Sequence, residues 1–355
     1  MPWKRSKLST GIVLLGLIIA APVLACDVTL EANGNTAAIQ HAIDKALKPI
    51  VICLKSGLYP GARLIATHSV TLKRLGNGPV LLDAGTQGRI VTLQQNGLVV
   101  NLIGLTLKNG RADRGGAISM TQNSKITLQD CVLDNNEATV LGGGAIFADA
   151  GQVEVVRTLV SHNIASFASA IEGTGTAKML FDGAQITDNN TKSTGDAPVR
   201  LSNHAQLVCQ HSTIAYNGGG AILLMPGAMT QLSVDSSIVM GAPEAIAVHR
   251  LEVERVRVKR SVVHGGIGNT ATDLATSRGL PDFAMVEPER YRPRTGSPAI
   301  AIGQCQGAES RTDLLGRPRA KVCTAGALEA APDAIKKTML ARAKLASEKA
   351  QKPPW

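Results

Sequence analysis

Two tracks repeat down the middle of the chain with the same mean period, and they constrain the fold more than any other feature. A small residue followed by a branched apolar one recurs as Ala117-Ile118, Ala145-Ile146, Ala170-Ile171, Pro198-Val199, Ala221-Ile222 and Ala245-Ile246, in steps of 28, 25, 28, 23 and 24 residues. Three of these pairs follow Gly-Gly, at Gly115-Gly116, Gly143-Gly144 and Gly219-Gly220. Out of phase with them, an apolar residue stands three positions before Asn or Gly: Leu133/Asn136, Val160/Asn163, Ile186/Asn189, Ile214/Asn217, Ile238/Gly241 and Val262/Gly265. Asn109, just after Leu105-Thr106-Leu107, opens that series, which then steps by 27, 27, 26, 28, 24 and 24 residues. Self-similarity at a fixed period of this length is the mark of a solenoid.

The repeat unit selects among solenoids. Its apolar runs are short and alternate, as in Lys125-Ile126-Thr127-Leu128 and Val153-Glu154-Val155, and Gly, Asn and Asp separate them. Those are strand and turn signals. No clean helical period occurs between Gly110 and Thr270, and the Leu spacing of a leucine-rich repeat is absent. The remaining solution is all-β: a coil of short strands, each pairing in parallel with its counterpart in the next turn. Asn and Gly then suit the positive-φ bends. Residues 60–270 would hold about eight coils, a rod of roughly 38 Å at ~4.8 Å per coil.

Composition agrees with a coil of small turns. Aromatic residues are 3% of the chain and Gly numbers 36, against 44% hydrophobic and 18% charged. That disfavours a large aromatic core, an aromatic-lined sugar cleft and a base-stacking surface. Gly is not spaced every third residue, so collagen is excluded.

Both ends carry their own signals. Lys4, Arg5 and Lys7 precede the apolar run Leu8–Ala21 and then Val23-Leu24-Ala25, the pattern of a signal peptide. The run is short for a membrane span. Removing its three basic residues lowers the formal charge from +10 to +7, a weak attraction for anionic surfaces. Asn35-Thr36 would cap an amphipathic helix to about Lys48, with Ala38, Ile39, Ala42, Ile43 and Leu47 on one face, covering the open end of the coil.

That helix leads into Val51-Ile52-Cys53-Leu54 and Ser56-Gly57-Leu58-Tyr59-Pro60. A helix containing Ala-Ile-Gln-x-Ala-Ile-Asp, a strand and a Gly-x-Tyr turn resemble the opening of the pectate-lyase-like right-handed β-helix superfamily. The Gly-Gly-Ala-Ile repeats are similar to those of polymorphic outer-membrane proteins. Tyr291-Arg292-Pro293, Gly296-Ser297-Pro298-Ala299-Ile300, Thr312-Asp313, Gly316-Arg317-Pro318-Arg319 and Gly326-Ala327-Leu328-Glu329 follow in order. This resembles the C-terminal segment of bacterial β-helix proteins of the choice-of-anchor Q type. The resemblances cover about residues 27–330 and imply a right-handed parallel β-helix, export and an envelope or surface role, but no reaction. The chain departs from that pattern at Ala301, where the family usually has Asp, and at Cys323-Thr324, where it often has Cys-Asp.

Six cysteines are present: Cys26, Cys53, Cys131, Cys209, Cys305 and Cys323. An exported chain meets an oxidising compartment. Cys305 and Cys323 bracket the terminal motif and are paired here. Cys26 and Cys53 flank the cap helix and could join it to the first coil. Val23-Leu24-Ala25-Cys26 also resembles a lipoprotein box, and lipid on Cys26 would forbid that bond. Cys131 and Cys209 lie three repeats apart, ~14 Å, too far to pair, and read as buried thiols. No Cys-x-x-Cys or His-x-x-x-His occurs, so no metal motif is expected.

No catalytic set is legible. Asp130, Asp134, Asp149, Glu154, Glu172, Asp182, Asp188 and Asp235 are scattered, and their spacing does not define the opposed pair that glycoside hydrolysis needs. His162 falls in the turn position that Asn135, Asp188 and Tyr216 occupy in neighbouring coils. The Asn series at 109, 136, 163, 189 and 217 reads as a ladder of stacked amides rather than a ligand row. One surface suggests binding: in Val253–Arg260, Val256 and Val258 would face inward, so Arg255, Arg257 and Lys259 would face outward together, towards an anionic glycan or headgroup.

The expected organisation is a signal peptide over 1–25, a cap over 26–59, the β-helix over 60–270, a disulfide-bearing segment over 271–330 and a basic helical tail over 331–355 beginning near Asp333. Two functions stand open: a non-catalytic envelope or surface protein binding glycan or a partner along the rod, and a lyase, hydrolase or epimerase acting on an acidic polysaccharide. No cofactor is expected, calcium entering only with a lyase. A monomer is expected, with no nucleic-acid partner and membrane contact only through a lipid anchor or the basic tail.

Overall fold

The structure, a computed structural model, describes residues 25–32, 36–121, 123–194, 196–226, 230–249, 256–268, 272–274, 279–305 and 312–350. The expected leader, apart from Ala25, lies outside them, as do Asn35 and Arg255. The chain is a parallel β-helix. Its largest sheet has 18 strands and runs as two strips joined at a sharp bend. A second sheet has eight strands, from Leu64–Ala66 to Ile246–Val248, each contributed by one coil. A third has four short strands, from Arg111–Ala112 to Asn190–Thr191.

The register follows the Ala-Ile track. Ile118, Ile146, Ile171, Val199, Ile222 and Ile246 stack as Cα partners and are all fully buried. Parallel pairing places like on like, so each branched side chain meets its equivalent one coil away, at ~4.8 Å.

Two rows of left-handed residues turn each coil. Gly104, Asp130, Arg157, Gly183, His211, Ser236 and Arg260 bend the large sheet between its strips, with φ from 41° to 69°. Asn109, Asn135, His162, Asp188 and Tyr216 form the next corner, with φ from 53° to 60°. Asx, His and Gly tolerate this region best, which is why such residues mark the turns.

The residues just after the second corner form the amide ladder. Asn136, Asn163 and Asn189 each offer Oδ1 to the coil before them. Asn163 accepts from the Asn136 backbone N–H (2.9 Å) and side-chain Nδ2 (2.9 Å), while its own Nδ2 donates to Asn189 Oδ1, Leu133 O and Ser161 O. Asn217 ends the ladder. Three expected members of the track are corrected. Asn109 stands in the corner row, where it accepts from Asn135 Nδ2, and Gly110 takes the ladder position. Gly241 and Gly265 align with the Tyr216 corner, because Ile238 pairs with Thr213 rather than Ile214 and Val262 pairs with Ile238. The Asn-Asn pair at 135–136 makes the two adjacent rows easy to confuse in sequence.

At the first end, the cap helix α1 covers Ala37–Lys45 and buries Ile39 and Ile43. It is shorter than expected. Ala46 is already extended, so Leu47 leaves the apolar face and is 99% exposed. Cys26 and Cys53 form a disulfide joining the first two strands of the large sheet, at the thiol that a lipid would need.

The segment after the coil doubles back along its side. Phe283, Tyr291, Ala299 and Ala325 pack on Ile238 and Val262, which face outward from the second strip. Cys305 and Cys323 form the second disulfide. The terminal motif builds a buried knot. The Arg319 side chain is fully buried and donates to Gly326 O, Ala327 O and Glu329, while Glu329 accepts from Thr324. Asp313, also fully buried, accepts from the N–H groups of Leu315, Arg317 and Glu329. A second helix, α2, covers Pro332–Ala350, packs Ala334 on Ile300, and leaves Met339, Leu340 and Leu345 exposed.

The two Asn rows differ in what removal exposes. Asn163→Ala would orphan a buried backbone N–H and several carbonyls, and should cost about 2–4 kcal/mol in a denaturant melt. Asn109→Ala, at the half-buried corner with φ 57°, should cost less, about 1 kcal/mol, mostly from placing Ala in the left-handed region. Equal costs would refute the assignment of the two rows.

Candidate functional site

Most of the scattered carboxylates find partners one coil away. Arg157 binds Asp130 through two nitrogens (2.8 and 3.0 Å). His162 meets Asp134 at 2.8 Å, Lys125 meets Glu154 at 2.6 Å, and His211 meets Asp182 at 3.2 Å. Asp188 accepts from Tyr291 and Arg290 of the returning segment. Such pairs are what stacked coils of opposite charge produce, and on an exposed face each contributes little.

The expected cationic row is partly placed. Val256 and Val258 are buried, so Arg257 and Lys259 do lie on the outer side of their strand. Lys259 pairs with Asp235 at 3.1 Å, and Arg260 pairs with the same carboxylate. These two cations hold the Asp235 carboxyl below its usual range against the opposing effect of burial. Arg257 has no ion pair among the described residues and edges a shallow cleft of about 220 Å³ beside Gln206, Val208 and Gln231. Cys131 and Cys209 are buried free thiols, each pushed up to about 12 by burial.

Glu172 is different. It sits at the centre of an outward row on the eight-stranded sheet, in register with Phe147 on one side and Arg200 on the other. Each lies in the middle of a three-residue strand whose outer positions face the core. Loops before the strands wall the row in. Arg114 lies over the Phe147 ring at 5.1 Å, and Arg200 over the half-exposed Phe167 ring at 5.1 Å. Both are cation–π contacts that fix the guanidinium planes.

Asp196 positions Arg200. One carboxylate oxygen accepts from Ala168 N (3.2 Å) and Ala197 N (2.8 Å), and the other takes Arg200 Nη1 at 3.3 Å. Arg200 Nε is buried and has no hydrogen-bond partner among the described residues. Glu172 forms neither a hydrogen bond nor an ion pair there, although Arg200 and Arg114 flank it. Burial raises its carboxyl above the ordinary value of 4.5; the two arginines pull it down, and Asp196 and Asp149 push it up. The space for this carboxylate depends on Gly142, where a Cβ would fall 2.1 Å from Glu172 Oε2.

The arrangement offers an acid raised above its ordinary value by burial, a fixed guanidinium with an unused donor, and the partly exposed Phe167 ring. It suits a ligand presenting carboxylates and hydroxyls. It does not suit calcium: Asp196 is already saturated by backbone N–H groups and Arg200, and two arginines stand beside Glu172. The described side chains that come close enough to share a metal are His211, Cys305 and Cys323, whose two sulfurs are bonded to each other.

Neither this row nor its chemistry was read from the sequence. Phe147, Glu172 and Arg200 are 25 and 28 residues apart and share no local motif. The signal was nonetheless present: each residue directly follows the branched apolar member of a repeat, so reading that column gives Ser119, Phe147, Glu172, Arg200, Leu223 and Ala247 as one outward row.

Comparison with known proteins places the coil. A family model described as a right handed beta helix region matches residues 89–251. No curated protein matches the sequence. Among solved structures, pectate lyase Pel9A is similar at 12% identity, with 87% of this chain and 98% of that chain covered and a TM-score of 0.48. Escherichia coli ybhc is similar at 13% identity, with 86% and 82% covered and a TM-score of 0.36.

Titration tests the burial of Glu172. A carboxyl raised on folding stabilises the fold fully below its unfolded value, and that stability is lost as pH rises through the folded value. Glu172→Gln should therefore raise the melting temperature at pH 7 and give little gain below pH 4.5. A pH-independent effect would show that burial does not raise the Glu172 carboxyl.

Proposed function

We propose that this right-handed parallel β-helix is an exported envelope or surface protein that binds an acidic polysaccharide along the outer face of its eight-stranded sheet. The observation that carries the reading is Arg200, held in place by Asp196 and Phe167, with its buried Nε facing no acceptor. A carboxylate or hydroxyl of the glycan would accept from that nitrogen, and the Arg114–Phe147 pair would hold the next residue of the chain. Export is supported by the basic-apolar leader and the two disulfides. Among the described residues no helix is long and apolar enough to cross a membrane. Arg257 and Lys259 lie on a different face and would add a second, weaker anionic contact.

The raised Glu172 carboxyl favours a second reading, hydrolysis of the bound chain. A protonated carboxyl beside a guanidinium can give its proton to a leaving glycosidic oxygen, while Asp149 as the second carboxylate takes a proton from the water that attacks the anomeric carbon.

The test is binding of pectin, alginate and glycosaminoglycans to the mature chain, with new reducing ends and unsaturated products followed in parallel. Arg200→Ser should weaken binding of at least one acidic polymer by about tenfold or more. Glu172→Gln should strengthen it by removing a like charge. Undiminished binding by Arg200→Ser would overturn the reading. Reducing ends that vanish in Glu172→Gln would establish the hydrolase.

A further inference from the structure

A second cleft lies on another face, where the returning C-terminal segment stops covering the coil. The outward row of the second strip reads Val132, Leu159, Gln185, Thr213, Ile238 and Val262 from coil to coil. The segment covers its last half: Ala327 N donates to Thr213 Oγ1, and Phe283 and Tyr291 pack on Ile238 and Val262. Before Thr213 the cover lifts, and a cavity of about 280 Å³ opens over Leu159 and Gln185, roofed by Pro288, Leu314 and Leu315.

Gln185 is the feature without a structural explanation. It is 6% exposed, its Oε1 is buried without a partner, and its amide makes no hydrogen bond among the described residues. A buried amide left unpaired costs about 1–3 kcal/mol, so the fold keeps it against its own stability. Leu, as in the preceding coil, would pack the same position without that cost.

The charges around the cleft decide what could pair with this amide. Arg157 is taken by Asp130, His162 faces Asp134, and Arg290 is taken by Asp188. Glu287 lines the cleft with no ion pair among the described residues. No cation is left for an anion, and an unpaired carboxylate stands at the edge. The walls are apolar on two sides, Leu159 below and Pro288 and Leu315 above. A neutral ligand with an apolar face and hydroxyl or acetamido groups on its edge fits these demands: its C–H face packs on the leucines, its donors meet Gln185 Oε1 and Glu287, and its acceptors meet the Gln185 amide nitrogen. The volume is at the low end for small-molecule sites and suits a single ring.

We propose that the cleft between Gln185 and the returning segment binds one neutral sugar residue, with the Gln185 amide as its specificity-determining contact. The site is separate from the Glu172 row and does not rest on the polysaccharide reading.

Titration calorimetry with methyl glucoside, methyl galactoside, N-acetylglucosamine and glucuronate tests it on the mature chain. At least one neutral sugar should bind, and glucuronate should bind on the order of tenfold more weakly or not at all. Gln185→Met should keep or raise the melting temperature, since the amide has no protein partner to lose, and should weaken the neutral sugar on the order of tenfold. Leu315→Trp, at an exposed position on the roof, should block the cleft. Arg200→Ser should leave this binding intact, which separates a failure here from a failure of the other site. The binding sugar would then be offered as a chain terminus, to distinguish a free monosaccharide from a glycan end. Absence of binding by every neutral sugar, equal affinity for glucuronate, or unchanged binding by a folded Gln185→Met would each overturn the proposal.

Discussion

Backbone pairing between successive coils is the constraint on which the rest depends. Each strand is hydrogen-bonded to its counterpart one turn away, so every side chain stands ~4.8 Å from the same position in the next coil. A residue type survives in a column only if it tolerates itself or its replacement at that distance. Branched aliphatic residues do, and they fill the interior. Asn does, because its amide is both donor and acceptor and can hand one hydrogen bond along the stack while closing others to the backbone. Like charges do not, and opposite charges meet between coils instead: Asp130 with Arg157, Arg111 with Glu137, Lys125 diagonally with Glu154, and Lys192 reaching Glu137 from two coils away. The few aromatic residues follow from the same rule, since a narrow coil has no room to stack large rings inside it.

The returning segment changes what the outer faces can do. It seals apolar residues of the second strip, and it is itself fixed by charges that are buried with partners. Arg319 lies between Glu329 and a set of carbonyls, and Asp313 takes the N–H groups of its own turn. The position where the related pattern often has Asp holds Thr324, whose hydroxyl and N–H both bind Glu329. A neutral donor here lets Glu329 serve as the single acid for Arg319, so the departure from the pattern is compensated within five residues. With one face occupied in this way, the eight-stranded sheet and the first strip of the large sheet are left open.

Much of this was legible from spacing. The Ala-Ile column, the coil architecture, the inward placement of Val256 and Val258 and the buried thiols follow from the period and from strand alternation. The errors are local and share a cause. Period alone fixes a column to within one residue, and a corner residue and the ladder residue after it can both be Asn or Gly, as at Asn109-Gly110, Asn135-Asn136 and Gly265-Gly266, so Asn109, Gly241 and Gly265 fall in the corner column rather than the ladder. Leu47 was misplaced because a helical period does not reveal where the backbone turns extended. The functional row was out of reach for a different reason. Its members are far apart in sequence and chemically unlike, so only the register, not any motif, brings Phe147, Glu172 and Arg200 together.

The argument for function at the row lies in what its members do. Mixed outward columns occur elsewhere on this coil, as in Thr127, Glu154, Leu180, Val208, Ser233 and Arg257, so a column that runs Ser, Phe, Glu, Arg, Leu and Ala is not unusual for its variety alone. Structure alone would fill it with threonine or valine, which pack well on a pleated face. Instead the fold desolvates an acid that forms no ion pair among the described residues, and a second acid, Asp196, both closes the Ala168 and Ala197 N–H groups and aims Arg200. The desolvated acid costs stability and is not needed to continue the coil. Sites that a fold does not need, and holds at its own expense, are where a ligand makes up the difference.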